Sequence, residues 1–570
     1  MIAMQVNRHK NINKQAMLRH TYPVVILMVI ALISYWTFYA PILYSDDWSL
    51  MVGRWYFGNL NWFDLTDLRP LLKARLTVLY GIFGLNIHAF YIVLWLLNVL
   101  NVIQLYLLVV RFIPKHIPIA LSIGAIALIY PADFTHMWLT MIQIRTVVLL
   151  ALLYAHLLLI YADTGRRIAL WAALLCLLVS FGMHEGQLGV AMAWSLLVTL
   201  MHRNRPWQSW LPLLLPLVIG LAFIVWQVLG TSVLGIRNNY RYVNDIVLTP
   251  TVIIGRLLKG FQIMVWAWVE PLMLAFDLTI LVVIGSLLFA MMFCSGLIYL
   301  AGRIYPDKLE RVRLTHNQQV AQLHVFLMMM LVGTVFIAPG YVPVVALFQP
   351  SLFPIGSRVN LFPSMGAAVT LVSLITVVVM IFWRKQPQIN LMVLAAIVPL
   401  VVLGSMVQLQ VQYDNRTLWE EQKKVWHEFF DLVPDLKDGT VVYFIFAEPE
   451  HQTPGLYRTK RPHPLRGAGD VGAALNILYG KYDLSADVIT EELLLKAGVK
   501  VYYSSEITPY DHIILVVYDG NPRRIRIVED LEAEGLVNFP VPTYAPYEHI
   551  VKTPTTRGDL RWLVGAKTAE

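Results

Sequence analysis

Long apolar runs separated by short polar segments dominate the chain up to Gln408. Runs able to cross about 30 Å of hydrocarbon as a helix, at about 1.5 Å per residue, begin near Thr21, Ile87, Ile117, Thr146, Ile168, Gln187, Leu211, Leu278, Leu323, Gly366 and Leu391. Each run must be helical, because only a helix pairs its own backbone groups in lipid. The pattern predicts an α-helical polytopic membrane protein with about 11 transmembrane helices.

The basic residues predict the orientation. With an odd number of spans, the basic clusters between the apolar runs fall on the side of the basic tail 1–20, which the positive-inside rule places in the cytoplasm. The count depends on Ile168 to Met201, which is apolar except at His184-Glu185-Gly186. A single helix there would be about 50 Å long, so two short spans with a tight turn fit better. We expect outer loops at 44–75, 131–145, 231–277 and 339–363 in a transmembrane domain 21–408, in the cell membrane.

Residues 409–570 have the charge density of a water-soluble domain. Val441 to Phe446 and His512 to Val517 are short apolar runs typical of strands, whereas Val471 to Tyr479 and Ala486 to Ala497 have helical patterns. The sequence therefore predicts a C-terminal soluble α/β domain on the extracytoplasmic side.

Composition agrees with a membrane protein, since 58% of the 570 residues are hydrophobic and 14% are charged. The formal net charge of +8 raises the question of nucleic acid. Many of the basic residues lie in short loops between apolar runs and do not form one patch. We therefore expect no nucleic-acid partner.

Two adjacent carboxylates, Asp46 and Asp47, follow the first apolar run. Such a pair at a membrane boundary repels itself and loses hydration, which is tolerated in three settings. The pair can bind a divalent cation such as Mg or Mn, take a proton from a substrate hydroxyl, or stay solvated as an ordinary interface feature. The sequence leaves these alternatives open.

Several short segments, taken in chain order, are similar to a known family. They are Asp46-Asp47-Trp48, Arg69-Pro70-Leu71, Phe83-Gly84-Leu85-Asn86 with Asn98, Tyr130-Pro131 with His136 and Arg145, Phe181 to Glu185, and Ser357 to Gly366. This order resembles the GT-C superfamily of polyprenyl-phosphate-dependent glycosyltransferases, nearest to protein O-mannosyltransferase-like enzymes. His184 stands where that group has Lys, and nothing after Gln408 matches the tetratricopeptide repeats of its animal members.

The resemblance implies an inverting transfer of a sugar from a polyprenyl-phosphate donor to an extracytoplasmic acceptor, a glycan, lipid or protein hydroxyl. Such a reaction needs a carboxylate to deprotonate the acceptor and a cation to hold the departing phosphate. The expected base is Asp46 or Asp47, and the two could instead hold a metal. The expected phosphate ligands are Arg358, Arg145 and Arg69. Further residues expected in the cavity are His136, His184, Glu185, Tyr240 and Arg241.

Each assignment has a plainer alternative. Glu185 could cap the helix that follows it, and Arg358 could extend its charged end to the interface. Arg69 could anchor a loop, and Tyr240-Arg241 could be solvated. The alternatives for the whole chain are a transporter of lipid-linked oligosaccharide or solute, and a noncatalytic membrane assembly protein.

Overall fold

The computed structural model describes most of the chain. The described residues are 20–35, 42–43, 47–48, 69, 71–202, 206, 210–232, 249–274, 284–285, 288, 315–345, 349–352, 357–383, 386–446, 468–489, 499–500, 507–520, 523–536, 540–552 and 560–565. Asp46, Tyr240 and Arg241 lie outside the described residues.

Apolar helices build the part of the chain before Leu432. They are α1 (His20–Ser34), α2 (Leu72–Phe83), α3 (Ile87–Phe112), α4 (Ile117–Leu128), α5 (Met141–Thr164), α6 (Arg167–Met183), α7 (Leu188–Met201), α8 (Leu215–Ser232), α9 (Pro250–Leu274), α10 (His316–Val345), α11 (Leu361–Phe382) and α12 (Gln386–Leu432). Short 3-10 turns at Glu185–Gln187, Leu211–Leu214 and Arg358–Asn360 precede α7, α8 and α11.

The helical membrane class is confirmed. Within the described residues, six helices are long and apolar enough to cross a membrane, and five further apolar helices are shorter. Helices lie at ten of the eleven predicted spans. The run that begins near Leu278 lies almost entirely outside the described residues. The count of eleven spans, its orientation and the domain limits therefore stay predictions.

The helix bundle has two ends, which differ in what they hold. At one end, the helices α4, α6 and α10 end and the helices α5, α7 and α11 begin. Hydrogen bonds join these segments; for example, Gln143 Nε2 donates to the Met183 carbonyl at 2.6 Å. We call this the site end. At the far end, Arg111 pairs with Asp163, and His202 Nε2 lies 3.4 Å from the same carboxylate.

The helix α9 lies within the predicted outer loop 231–277. Arg256 Nη1 donates to the Val345 carbonyl at 2.7 Å, and Tyr130 Oη donates to the Met264 carbonyl at 2.7 Å. Tyr341 Oη is 3.4 Å from the carbonyl of Gly260. Steps of four residues place these contacts on one face of the helix. That face of α9 packs against the site end.

The last helix of the bundle, α12, is continuous from Gln386 to Leu432 and passes the predicted domain limit at Gln408 without a break. The part of α12 before Gln408 is apolar, and the part near its C-terminal end packs against the C-terminal domain. There, Trp426 and Phe429 contact Phe444 at ring-centroid distances of 5.8 and 5.3 Å. The composition changes at Gln408 because the surroundings of the helix change, while its backbone continues.

The C-terminal part contains a four-stranded sheet in the order β3 (Ser485–Ile489), β2 (Val441–Phe446), β6 (Ile513–Gly520), β7 (Arg523–Ile527). Strand β2 pairs in parallel with β3 and β6, and β6 pairs with β7 in an antiparallel hairpin. The helix α13 (Ala468–Tyr479) lies between β2 and β3 in the chain. Shorter strand pairs join β1 (Asp435–Leu436) with β8 (Ile550–Val551), and β4 (Val499–Lys500) with β5 (Ile507–Thr508).

One predicted element of this domain is wrong. Ala486 to Ala497 was expected to be a helix, but Ser485–Ile489 forms the strand β3. Residues 490–498 lie outside the described residues. The β-branched pair Val488-Ile489 favours a strand, and parallel pairing with β2 in register Ala486 to Val442 decides the outcome. Tertiary pairing overrides a short local pattern here.

The close contact between α10 and α11 depends on two glycines. A Cβ atom added at Gly333 would lie 2.7 Å from the Gly366 carbonyl oxygen, and one added at Gly366 would lie 2.7 Å from that of Gly333. The neighbouring atoms belong to the backbone and cannot rotate away. Small residues allow this close helix packing in a membrane.

We expect Gly333→Ala to destabilise the protein by roughly 1–3 kcal/mol, because the added methyl forces α10 and α11 apart. The measurement is the thermal unfolding midpoint in detergent. Gly255→Ala is the matched control, since a Cβ there would have no neighbour within 4 Å. An equal midpoint for the two variants would contradict the close packing.

Candidate functional site

The site end is organised around the loop between α4 and α5, residues 129–140, which we call the central loop. Residues 129–139 are all buried, although the segment is neither helix nor strand. Buried backbone groups outside regular structure need partners from elsewhere in the chain. Those partners are side chains from several distant segments, so the loop joins them.

A buried ion pair closes the central loop. Asp133 Oδ2 accepts a hydrogen bond from Arg145 Nη2 at 2.8 Å, and both side chains are less than 5% exposed. Asp133 Oδ1 accepts from the backbone amide of Thr135 at 2.8 Å and from its hydroxyl at 2.7 Å. Both carboxylate oxygens of Asp133 are therefore engaged, one locally and one by the start of α5.

His136 completes this cluster in its neutral form. Arg145 Nη2 donates to His136 Nδ1 at 2.6 Å, and since a guanidinium only donates, the imidazole proton lies on Nε2. Burial, reinforced by the charge of Arg145, lowers the pKa of His136 to about 3. Its Nε2 approaches Asp133 at 3.9 Å, which is no ion pair for a neutral ring. His136 also lies 5.1 Å from the ring of Tyr35.

Asp133 stays ionised. Burial by itself would raise the pKa of Asp133, but the charge of Arg145 and the hydrogen bonds from Thr135 lower it below its ordinary value. The cluster therefore has a fixed charge pattern at neutral pH, with one carboxylate and one guanidinium. His136 and Arg145 meet as the sequence grouped them, and their partner is a residue that the sequence analysis did not single out.

Asp47 is attached to the other end of the central loop. Its Oδ1 accepts a hydrogen bond from the Thr140 amide at 3.0 Å, and the residue is 1% exposed. The neighbouring Trp48 is buried and lies 6.4 Å from the ring of Trp419 on α12. The structure thus places Asp47 at the site end, where Asp47 contacts the central loop and the neighbouring Trp48 contacts α12.

The segment that carries Arg358 is attached to the first half of the central loop. The Phe134 amide donates to Ser357 Oγ at 3.0 Å, and Asn360 Nδ2 donates to the Ala132 carbonyl at 2.6 Å. Arg358 is half-buried between these two anchored positions, in the 3-10 turn before α11. Asp47 and the Arg358 segment are therefore held by the same loop, at Thr140 and at Phe134.

Glu185 and Arg69 form a second ion pair at the site end. Arg69 donates through Nε to Oε2 at 2.8 Å and through Nη2 to Oε1 at 2.5 Å, a bidentate arrangement. Burial alone would raise the pKa of Glu185, but Arg69, with help from His184, lowers it to about 2. His184 Nδ1 accepts from the Gly186 amide at 2.8 Å, so this side chain caps the turn.

These pairs bear on the expected roles of the arginines. Two donors of Arg69 are engaged by Glu185, and Arg145 is buried against Asp133. Both arginines hold protein carboxylates in this arrangement, so a direct part in phosphate binding stays a prediction for each. Tyr240 and Arg241, also expected in the cavity, lie outside the described residues.

An apolar crevice of about 490 Å³ runs along the bundle from the site end. It is lined by side chains of α3, α5, α7, α10 and α11. On α7 alone the lining extends from Val190 to Met201, which is about 16 Å along the helix axis. At the site end the crevice reaches Phe362. The Phe362 ring lies beside Gly186, which belongs to the turn that begins at Glu185.

The crevice opens sideways toward the far end. Three of its lining residues there, Met201, Val325 and Met328, are exposed at the surface of the bundle. By contrast, Phe362 and Gly366 at the site end are buried. The shape is that of an apolar slot, accessible from the side at the far end and lined by buried residues at the site end.

Several residues of the site escaped the sequence analysis. Asp133 could have been found from Asp-x-Thr, the spacing of a local side-chain turn. Asn360 lies in the 3-10 turn that opens the apolar helix α11, and Gln408 lies within the apolar part of α12; both carry amides, which in lipid need partners. Gln408 Nε2 lies 3.1 Å from the Tyr130 carbonyl and 3.3 Å from that of Asp133, so α12 also holds the central loop.

A metal centre was one expectation for Asp46 and Asp47. Among the described residues, no three His, Cys, Asp or Glu side chains lie close enough together to hold an ion. Asp46 is outside those residues, so the assignment of a divalent cation to the pair stays a prediction.

Comparison with known proteins gives no relative. No protein-family model matches the chain, and no curated protein or solved structure is significantly similar to it.

The ion pair of Glu185 predicts a pH dependence of stability. Its folded-state pKa, about 2, lies below the ordinary 4.5, so the stabilisation is complete above about pH 5 and is lost as the pH falls toward 2. We expect Glu185→Gln to cost up to roughly 3 kcal/mol at neutral pH. Thermal unfolding midpoints measured against pH should converge for the two proteins in acid. Profiles separated by a constant amount would show that the carboxylate does not stabilise through its charge.

Proposed function

We propose that the protein is a membrane glycosyltransferase, which moves a sugar from a polyprenyl-phosphate donor to an acceptor hydroxyl outside the cytoplasm. One observation carries the proposal: Asp47 and the Arg358 segment are bonded to one loop, at the end of the bundle that an apolar crevice reaches. A carboxylate, a guanidinium and an apolar slot are the three groups that such a donor and acceptor require.

The chemistry is one substitution at the anomeric carbon. The acceptor oxygen forms the new bond to that carbon while the bond to the phosphate oxygen breaks, and the hydroxyl proton passes to a carboxylate. Inversion follows from the resemblance to GT-C enzymes. Because Asp47 is buried and one of its oxygens accepts from Thr140, Asp46 is the better candidate for the base. Asp47 would then hold the position of Asp46.

Arg358 is the best candidate for the phosphate ligand. It stands four residues, about one helical turn, before Phe362, and Phe362 lines the crevice. A donor whose isoprenoid chain occupies the crevice would therefore carry its phosphate near the 3-10 turn of Arg358. A guanidinium there stabilises the negative charge that grows on the leaving phosphate.

The crevice fits the chain of the donor. Its lining is almost entirely apolar, and its side opening would let a long isoprenoid leave the protein for the bilayer. The soluble domain, joined to the bundle through the continuous helix α12, would lie over the site end on the extracytoplasmic side and take part in acceptor recognition. The expected location is the cell membrane, with the N-terminus in the cytoplasm.

A transporter is the alternative that the described charges weigh against. Transporters place ionisable groups and broken helices near the bilayer midplane. Here the pairs Asp133–Arg145 and Arg69–Glu185 lie at the site end, and Arg111–Asp163 lies at the far end. Within the described helices of the bundle, no ion pair lies between these two ends.

The direct test is transfer of radiolabelled sugar from polyprenyl-phosphate donors by the purified protein. We expect Asp46→Asn to lower kcat by about 10²- to 10⁴-fold and Arg358→Ala by about 10²-fold. Asp163→Asn at the far end is the control and should keep wild-type activity. An assay with and without a chelator reads out any need for Mg or Mn.

Full activity of both Asp46→Asn and Arg358→Ala would remove the roles assigned to these residues. No transfer by the wild-type protein from any polyprenyl-phosphate sugar would contradict the proposal itself.

The crevice makes a separate prediction. We expect Val332→Trp, which fills the slot, to raise the KM for a long-chain donor about 10-fold because the chain is displaced. The KM for a short-chain donor analogue should stay unchanged. Leu178→Trp, on an exposed face outside the crevice, is the matched control. An equal effect on long and short donors would mean that the chain does not occupy the crevice.

A further inference from the structure

The central loop touches neither a sugar nor a phosphate in the proposed reaction, yet it bonds to Asp47 and to Ser357, the residue before Arg358. We propose that Asp133 is a positioning residue, which fixes the distance between Asp47 and Arg358 by closing the central loop onto Arg145. The catalytic consequence rests on the proposed function, whereas the positioning itself does not.

The ion pair between Asp133 and Arg145 spans the part of the chain that contains both hydrogen-bonding amides. The Asp133–Arg145 pair joins residues 12 positions apart. Two amides lie inside the segment that the pair closes: the Phe134 amide, which donates to Ser357 beside Arg358, and the Thr140 amide, which donates to Asp47. A change in the pair therefore reaches both amides through the covalent chain.

The burial of the pair makes the closure strong. A carboxylate or guanidinium removed from water is tolerated only with a partner, and loss of one partner leaves the other charge uncompensated. Neutral His136 cannot replace Asp133, because its Nδ1 only accepts from Arg145 and brings no negative charge. Asp133 is the one carboxylate with a hydrogen bond to this guanidinium among the described residues.

A second set of bonds fixes the local shape of the loop around Asp133. The amide and hydroxyl of Thr135 hold Oδ1, which orients Oδ2 toward Arg145. Thr135 is fully buried, and its hydroxyl donates to Asp133. Thr135→Val should therefore weaken the closure in the same direction as Asp133→Asn, but by less.

The test measures positioning without any assay of activity. The full-length protein is reconstituted in nanodiscs, and amide hydrogen exchange of the central loop is followed by mass spectrometry with fragmentation that resolves single amides. We expect Asp133→Asn to speed exchange of the Phe134 and Thr140 amides about 10-fold or more, and Thr135→Val to speed it less. Exchange of the Gly186 amide, which is bonded to His184, should be unchanged.

Two controls separate positioning from general stability. Asp163→Asn breaks an ion pair at the far end and should leave the Phe134 and Thr140 amides at wild-type exchange rates. The double variant Asp133→Asn/Arg145→Gln removes both buried charges and should recover thermal stability relative to Asp133→Asn, while exchange at the two amides stays fast. Thr135→Val decides the question where Asp133→Asn does not fold.

Wild-type exchange at both amides in Asp133→Asn, or in Thr135→Val if that variant alone folds, overturns the proposal. So does an equal acceleration by Asp163→Asn. In the transfer assay, Thr135→Val should lower kcat about 10-fold with the donor KM within twofold of wild type, because binding groups stay while their spacing is lost. If the wild-type protein transfers no sugar, the exchange result still decides on the positioning role.

Discussion

An irregular loop buried at the end of a helix bundle must have its backbone polar groups paired by other parts of the chain. The central loop meets this constraint with side chains from α12, from the turn before α11 and from the first polar segment after α1. Each of these bonds stabilises the loop and also fixes its donor or acceptor in space. The arrangement of the candidate site thus follows from how the backbone polar groups of a buried loop find hydrogen-bond partners.

The helices around the loop supply the rest of the setting. Close packing at Gly333 and Gly366 holds α10 against α11, and both helices line the crevice that ends beside the Glu185 turn. The helix α12 links the bundle to the sheet domain without a break, through Gln408 at the central loop and Trp426 in the C-terminal core. One continuous helix therefore connects the sheet domain to the site end.

The sequence predicted most of the helices because an apolar run in lipid has little choice of structure, but it assigned the segment of α9 to an outer loop. It did not predict the strand Ser485–Ile489, whose outcome depends on pairing with β2 across the chain. For the site, His136, Arg145 and Glu185, which the sequence grouped together, lie at the site end, and their roles stay predictions. The sequence could not show that Arg69 pairs with Glu185 over 116 positions, or that Asp133 pairs with Arg145, because periodicity carries no information about such partners. Asp46, Tyr240 and Arg241 lie outside the described residues, and their roles stay predictions.

In the proposed reaction, a lipid-linked donor binds with its phosphate at the site end and its chain in the crevice. The most direct measurement is a cryo-electron microscopy map of the protein in nanodiscs with a non-hydrolysable polyprenyl-phosphate sugar. We expect chain density between α7 and α10, with the phosphate within contact of the Arg358 guanidinium. Density for the headgroup at the far end, near Arg111 and Asp163, or an empty crevice under saturating ligand, would contradict the account.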